Sequence, residues 1–192
     1  MIVITAPTAE PVTLAEAKSN LGILSDDSTQ DALITRRIGQ ARAWAEHYTR
    51  RVLMSQVLEF RLHHFPVSIE LPSSPLISVD SVKYIDVDGA EQTVSASEYD
   101  VDTYSDRPTV RPVYGGSWPG TRGEPHAVRV QFTAGYGTKS TDVPDLIREA
   151  ILLLVGHWMN FQPQSENGLV MSRVPFAIRD ILDQYRIERY SL

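Results

Sequence analysis

The chain has 192 residues, with 24 acidic against 18 basic side chains, no cysteine, 42% hydrophobic and 22% charged content. That length suits one ordinary domain or two small ones, and the composition is that of a folded protein rather than a disordered segment. The missing cysteine excludes disulfides and thiolate metal sites, and a net charge of -6 argues against a broad face gripping nucleic-acid phosphates.

Ile2-Val3-Ile4 lacks a basic flank and is soon interrupted by Pro7 and Pro11, so no secretory signal is expected. The longest purely apolar core, residues 150–155, falls far short of the ~20 residues a bilayer needs. A soluble protein is expected, and the absence of cysteine fits a reducing cytoplasm.

Pro11-Val12-Thr13-Leu14-Ala15-Glu16 reads as a helix start, because Thr13 and Glu16 are spaced for a capping box. The helix is expected to end near Gly22. A polar turn over residues 25–28 is expected to cap a second helix running to about Tyr48. There Ile34, Ile38, Ala41, Ala45 and Tyr48 share one face, with Leu33 and Trp44 at its margin. Arg36, Gln40, Arg42, Glu46 and Arg50 face away. Arg37 falls inside the apolar arc, either snorkelling to water or pairing with a carboxylate across a subunit interface.

From Met54 the period changes to two. Leu58, Phe60 and Leu62 alternate with Glu59, Arg61 and His63, the pattern of a half-buried strand. Strand-like runs follow at residues 68–71, 77–85, 92–94, 99–103 and 127–134, with Asp88-Gly89 as a hairpin turn. Residues 114–125, YGGSWPGTRGEP, form a Gly/Pro loop carrying Tyr114 and Trp118. Either Trp118 pins it to the sheet or the loop meets a neighbour.

Helix resumes after Gly137, with Pro144 suited to its first turn. On this helix Asp145, Arg148, Glu149, Gly156 and Asn160 share a narrow polar side on which Leu152 intrudes. The remaining arc, through Ile147, Ala150, Ile151, Leu153, Leu154, Val155, Trp158 and Met159, spans roughly 240°, against ~100° for an ordinary surface helix. Such a helix is either surrounded by its own subunit or partly closed by a neighbouring copy, with Trp158 a candidate contact. A last helix follows Pro175, with Ile178, Ile181, Leu182 and Tyr185 in register.

The order predicts an α+β protein: a helical bundle of two N-terminal and two C-terminal helices with a small inserted antiparallel β module. Expected boundaries are 1–53, 54–137 and 138–192 within one compact domain. Catalytic signals are missing. The five histidines form no metal-binding spacing, and no phosphate loop or nucleophile elbow is present. No metal site, no cofactor and no enzyme activity are expected. A small metal-dependent hydrolase using His126 or His157 is the alternative from another class.

PVTLAEAKSNLGI, LPSSPLISVDSVKYIDVDG, VRVQFTAGYGTKSTDVPDLIREAILLLVGHWMNF and VPFAIRDILDQYR occur here in the order seen in the tailed-phage head–tail connector, or adaptor, proteins, which the chain resembles over nearly its whole length. The family also occurs in prophages and gene transfer agents. The resemblance implies a virion-neck component assembled in a bacterial cytoplasm. It forms a ring, typically of twelve copies, under the portal protein. That ring extends the channel for double-stranded DNA, without sequence-specific binding or membrane contact, and docks stopper or tail proteins. It also implies portal docking through the C-terminal region, here Phe176, Arg179, Ile181, Leu182, Tyr185, Arg186, Arg189 and Tyr190. Arg37, Tyr114, Trp118 and Trp158 are the subunit-interface candidates. Another neck component, such as a stopper or tail-completion protein, is the nearer alternative.

Overall fold

The computed structural model describes residues 1–160 and 174–188. Helix α1 (Leu14–Asn20) starts where the Thr-x-x-Glu spacing predicts. Thr13 Oγ1 accepts from the Glu16 N–H at 3.2 Å, and Glu16 Oε2 accepts from the Thr13 N–H at 2.7 Å. The chain leaves the helix through Gly22, whose φ of +68° is open to glycine at no steric cost.

Helix α2 (Asp31–Thr49) begins later than the polar turn suggests. The Asp27 carboxylate is taken by the Thr29 N–H and hydroxyl, so it closes a local turn instead of capping the helix. Ile34, Ile38, Ala41 and Ala45 form the expected buried stripe, with Tyr48 half-buried. Arg42 and Glu46 do not simply face water. Arg42 donates to Glu10 at 2.7 Å and to Glu46 at 3.0 Å, and Glu46 accepts from the Leu53 N–H at 3.0 Å.

The strands form two antiparallel sheets. One runs β1 (Ile2–Thr5), β2 (Gln56–Leu62), β8 (Val128–Ala134), β4 (Leu76–Ile85), β5 (Glu91–Val94). The other runs β3 (Ile69–Glu70), β7 (Thr109–Pro112), β6 (Tyr99–Asp102). In the larger sheet Leu58 stands opposite Phe132, and both Phe60 and Val82 stand opposite Val130. Leu58, Val82, Val130 and Phe132 are fully buried, each contributing about 1.5–3 kcal/mol of transfer free energy. Glu59, Arg61, Lys83, Arg129 and Gln131 occupy the other, wet face. The Asp88-Gly89 hairpin is present, with Gly89 at φ +91°. Asp86 holds it by accepting from the N–H groups of Asp88 and Ala90 and from the Gln92 amide.

Two strands escaped the sequence. Strand β1 has no polar–apolar alternation, and β7 is flanked by Pro108 and ends on Pro112, residues that ordinarily argue against a strand.

The chain divides into two compact units. A strand unit comprises Met1–Pro7 with Ser55–Tyr136, and a helical unit comprises Thr8–Met54 with Gly137–Leu192. Met1–Pro7 belongs with the strands, because β1 pairs with β2.

In the helical unit α3 (Asp145–Asn160) packs against α1, α2 and α4 (Phe176–Asp183). Ile147, Ala150, Ile151, Leu154 and Val155 are buried. Part of the polar side of α3 is met by α1 and the residues before it, while Asp145, Glu149 and Asn160 stay exposed. Arg148 donates to the Pro11 carbonyl at 3.1 Å and pairs with Glu16, and Asn20 donates to the Leu152 carbonyl at 3.3 Å. Leu146 and Leu153, seven residues apart and so on one side of the helix, remain exposed.

Candidate docking surface

Six of the eight residues expected to dock a portal lie together on α4 and the turn after it. Arg189 and Tyr190 lie outside the described residues. Helix α4 is short, and it is held by Ile178 and Leu182, both buried in the helical unit. Leu182 is wholly buried and therefore positions the helix instead of offering surface. Phe176 is the opposite case, 81% exposed at the first turn. Ile181, Arg179 and Tyr185 are half-buried, and Arg186 is exposed. The buried Arg179 Nε has no hydrogen-bond partner among the described residues.

A polar clamp joins this corner to the end of α2. The Tyr48 hydroxyl donates to Asp183 at 2.8 Å, and the Arg186 guanidinium lies 5.2 Å over the Tyr48 ring and 3.7 Å from Asp183. Trp44 stacks on the same ring, 5.0 Å between centroids. Burial first, then the hydrogen bond and charge of Asp183, push the Tyr48 phenol above its ordinary pKa, with Arg186 and Arg179 acting in the opposite direction. The chain after α4 is fixed as well. Arg51 Nε donates to the Tyr185 carbonyl at 2.6 Å, the Ile187 N–H donates to the Thr49 carbonyl at 3.0 Å, and Arg50 Nη1 donates to the Ile187 carbonyl at 3.4 Å.

Sequence reasoning missed Arg50 and Arg51, and it used Tyr48 only as part of an apolar stripe. A signal was present: two arginines directly after a helix sit where the helix dipole favours cations and where free carbonyls need donors. What they bond, backbone carbonyls well over a hundred positions later, has no local trace.

The four interface candidates are divided between the units, Arg37 and Trp158 in the helical one and Tyr114 and Trp118 in the strand one. Arg37 is half-buried on α2, where it donates to Gln40 at 3.0 Å, and its Nε is buried without a partner among the described residues. Trp158 is half-buried on α3. In the strand unit Trp118 stacks on Phe65, 4.7 Å between centroids at 8°, with Tyr99 beside it. The loop is thus pinned through Trp118. Tyr114 stands fully exposed, in a turn closed by the Gly116 N–H to the Val113 carbonyl, with Gly115 at φ +78°.

His126 stacks against His63 at 5.6 Å, and His157 is half-buried on α3. Among the described residues no three of His, Asp or Glu gather as metal ligands, and no helix is long and apolar enough to cross a membrane.

The fold has counterparts among solved structures. It is similar to a chain in the virion of a native gene transfer agent particle, with 22% identity, TM-score 0.80, and 98% of this chain and 96% of that chain covered. It is also similar to chains from the neck of an empty particle computed with C6 symmetry and of a native particle computed with C12 symmetry. The identities are 22% and 21%, the TM-scores 0.77 and 0.74, and 99% of this chain and 97% of each neck chain are covered. No curated protein matches the chain. The family described as Phage gp6-like head-tail connector protein matches residues 11–112, more than half of the sequence, and the chain belongs to that family.

Proposed function

We propose that the protein is a structural adaptor of a phage-like neck. Copies form a ring on a portal protein, extend its DNA channel, and present a docking surface to stopper or tail proteins. The protein acts by contact and not by catalysis, and its place is the virion neck after assembly in the host cytoplasm. The observation that carries the reading is family membership together with a full-length likeness to chains of gene transfer agent necks. Double-stranded DNA passes without base readout, which suits a chain of net charge -6.

The portal meets the α4 corner. Phe176 is a large aromatic left in water on a short helix, and aromatic side chains with neighbouring arginines are typical interface anchors. The clamp of Arg51 on Tyr185 and of Ile187 on Thr49 means that cutting the chain after Asp183 would disturb α2 as well as the surface. A point change is the cleaner test. Phe176→Asp should leave melting unchanged and reduce co-sedimentation with the portal at least about tenfold, the worth of one good apolar anchor. Undiminished docking would remove α4 from the portal contact.

A further inference from the structure

Strand β1 is the outermost strand of the larger sheet and is paired on one side only, with β2. Proteins ordinarily blunt such edges with lysine, proline or a covering segment, because free N–H and C=O groups invite another strand. Strand β1 has neither lysine nor proline. Ile2, Val3 and Ile4 are 43–53% exposed, and Met1 before them is 65% exposed. Ile2 stands opposite Glu59 and Val3 opposite Leu58, so apolar side chains project from both faces of the strand.

The other edge of the same sheet is unlike it. Strand β5 exposes Glu91, Gln92 and Thr93, and Glu91 is held by Lys83 and Arg129. One sheet therefore carries one apolar and one polar free edge. Four antiparallel steps separate them, so β1 and β5 run in the same direction. Both are four residues long, about 13 Å of ladder.

We propose that β1 docks a second copy of this chain, whose β5 edge adds beside it in parallel by main-chain hydrogen bonding. The proposal rests on the ring reading above. A closed ring needs two dissimilar patches on each subunit, one meeting the other on the next copy. A sheet with two unlike edges of equal length and direction supplies both. Repetition around the ring leaves no free edge, the arrangement by which barrels avoid uncontrolled strand addition. The exposed apolar side chains of β1 then lose water on assembly.

The cysteine-free sequence makes the test clean. Ile2 and Thr93 share the wet face of the sheet, opposite Glu59 and Lys83, and both are exposed. Ile2→Cys and Thr93→Cys chains, mixed and treated with a short bifunctional thiol reagent, are compared free at roughly millimolar concentration and on the portal. Mixed pairs should exceed Ile2→Cys self-pairs by at least about tenfold, and Ile4→Lys should lower their yield about tenfold without changing the melting temperature. Dominant self-pairs, an absence of cross-links in both settings, or indifference to Ile4→Lys overturns the proposal. Chains that ring the portal without Ile2–Thr93 cross-links sink the edge pairing and leave the connector reading standing. Mixed cross-links in chains that never bind a portal do the reverse.

Discussion

In the helical unit several ion pairs join segments separated in the chain and sit partly out of water. In the strand unit those of the larger sheet lie within one strand or between neighbouring strands on its wet face. Lys18 is buried against Asp31 at 2.9 Å and the Ser25 carbonyl at 3.0 Å, Arg42 gathers Glu10 and Glu46, and Arg148 gathers Glu16 and the Pro11 carbonyl. In the sheet, Arg61 meets Glu59, and Glu91 is shared by Lys83 and Arg129. Arg61, Arg129 and Lys83 stand directly across from one another, a row of like charges that those two glutamates offset. The difference teaches where charge holds the fold. In the helical unit removing a cation strands a carboxylate; in the sheet water takes over.

The largest test of that contrast is apolar. Leu182→Ala empties a wholly buried site that holds α4, and should cost about 2–5 kcal/mol in urea unfolding. If docking fails while Phe176 is intact, α4 is shown to need its core support. Next, Arg42→Met should cost about 2–3 kcal/mol, less than a fully buried pair because the group keeps some water. Gly137→Ala should cost about 1–3 kcal/mol, since a Cβ there would lie 2.6 Å from the Asp142 Cβ, whose carboxylate caps Lys139 at 2.8 Å. At the small end, Arg129→Gln should change stability by less than about 0.5 kcal/mol. A larger loss there would erase the distinction between the units.

Acid sharpens the comparison by sign. Burial pushes the Glu46 carboxyl above its ordinary value, with the Leu53 N–H and Arg42 only partly offsetting it. Its contribution is therefore fully present below the ordinary glutamate pKa and is lost as pH rises through the raised one. Glu46→Gln should accordingly look most damaging near pH 4 and less so near pH 7, in urea titrations at both values. Asp86 and Asp102 behave oppositely. The Gln92 amide and then the Ala90 N–H hold the first down, and the Ser105 hydroxyl and then the Tyr104 N–H hold the second down. Their contribution is present above the ordinary aspartate pKa and is lost as pH falls through the depressed one. The protection of the hairpin amides after β4, relative to an unstructured chain at the same pH, should therefore fall only in stronger acid, after Glu46 has already gained its proton.

The elements were legible where a local rule decides them. Thr13 with Glu16 announced α1, the Ile34-Ile38-Ala41-Ala45 spacing announced α2, and alternation announced β2 and β8. The failures are equally specific. Asp27 had a nearer donor than the helix, β1 had no polar partner residues to mark its period, and Arg42 was assigned to water because Glu10 lies on a segment that periodicity cannot place. At the docking corner the residue types of α4 were visible, but the clamp built by Tyr48, Arg50 and Arg51 is tertiary and left no spacing to read.

The pairing of Ile2 with Glu59 sets an order of events at the ribosome. Strand β1 precedes β2 in the chain and waits for that partner until all of α1 and α2 has been made. During that interval Ile2, Val3 and Ile4 belong to no sheet, and a nascent chain cannot present the edge to a sister chain in the correct alignment. Only a polypeptide that has already made α1 and α2 gains a template to offer, so premature strand exchange between shorter unfinished copies is disfavoured by the order of the elements themselves.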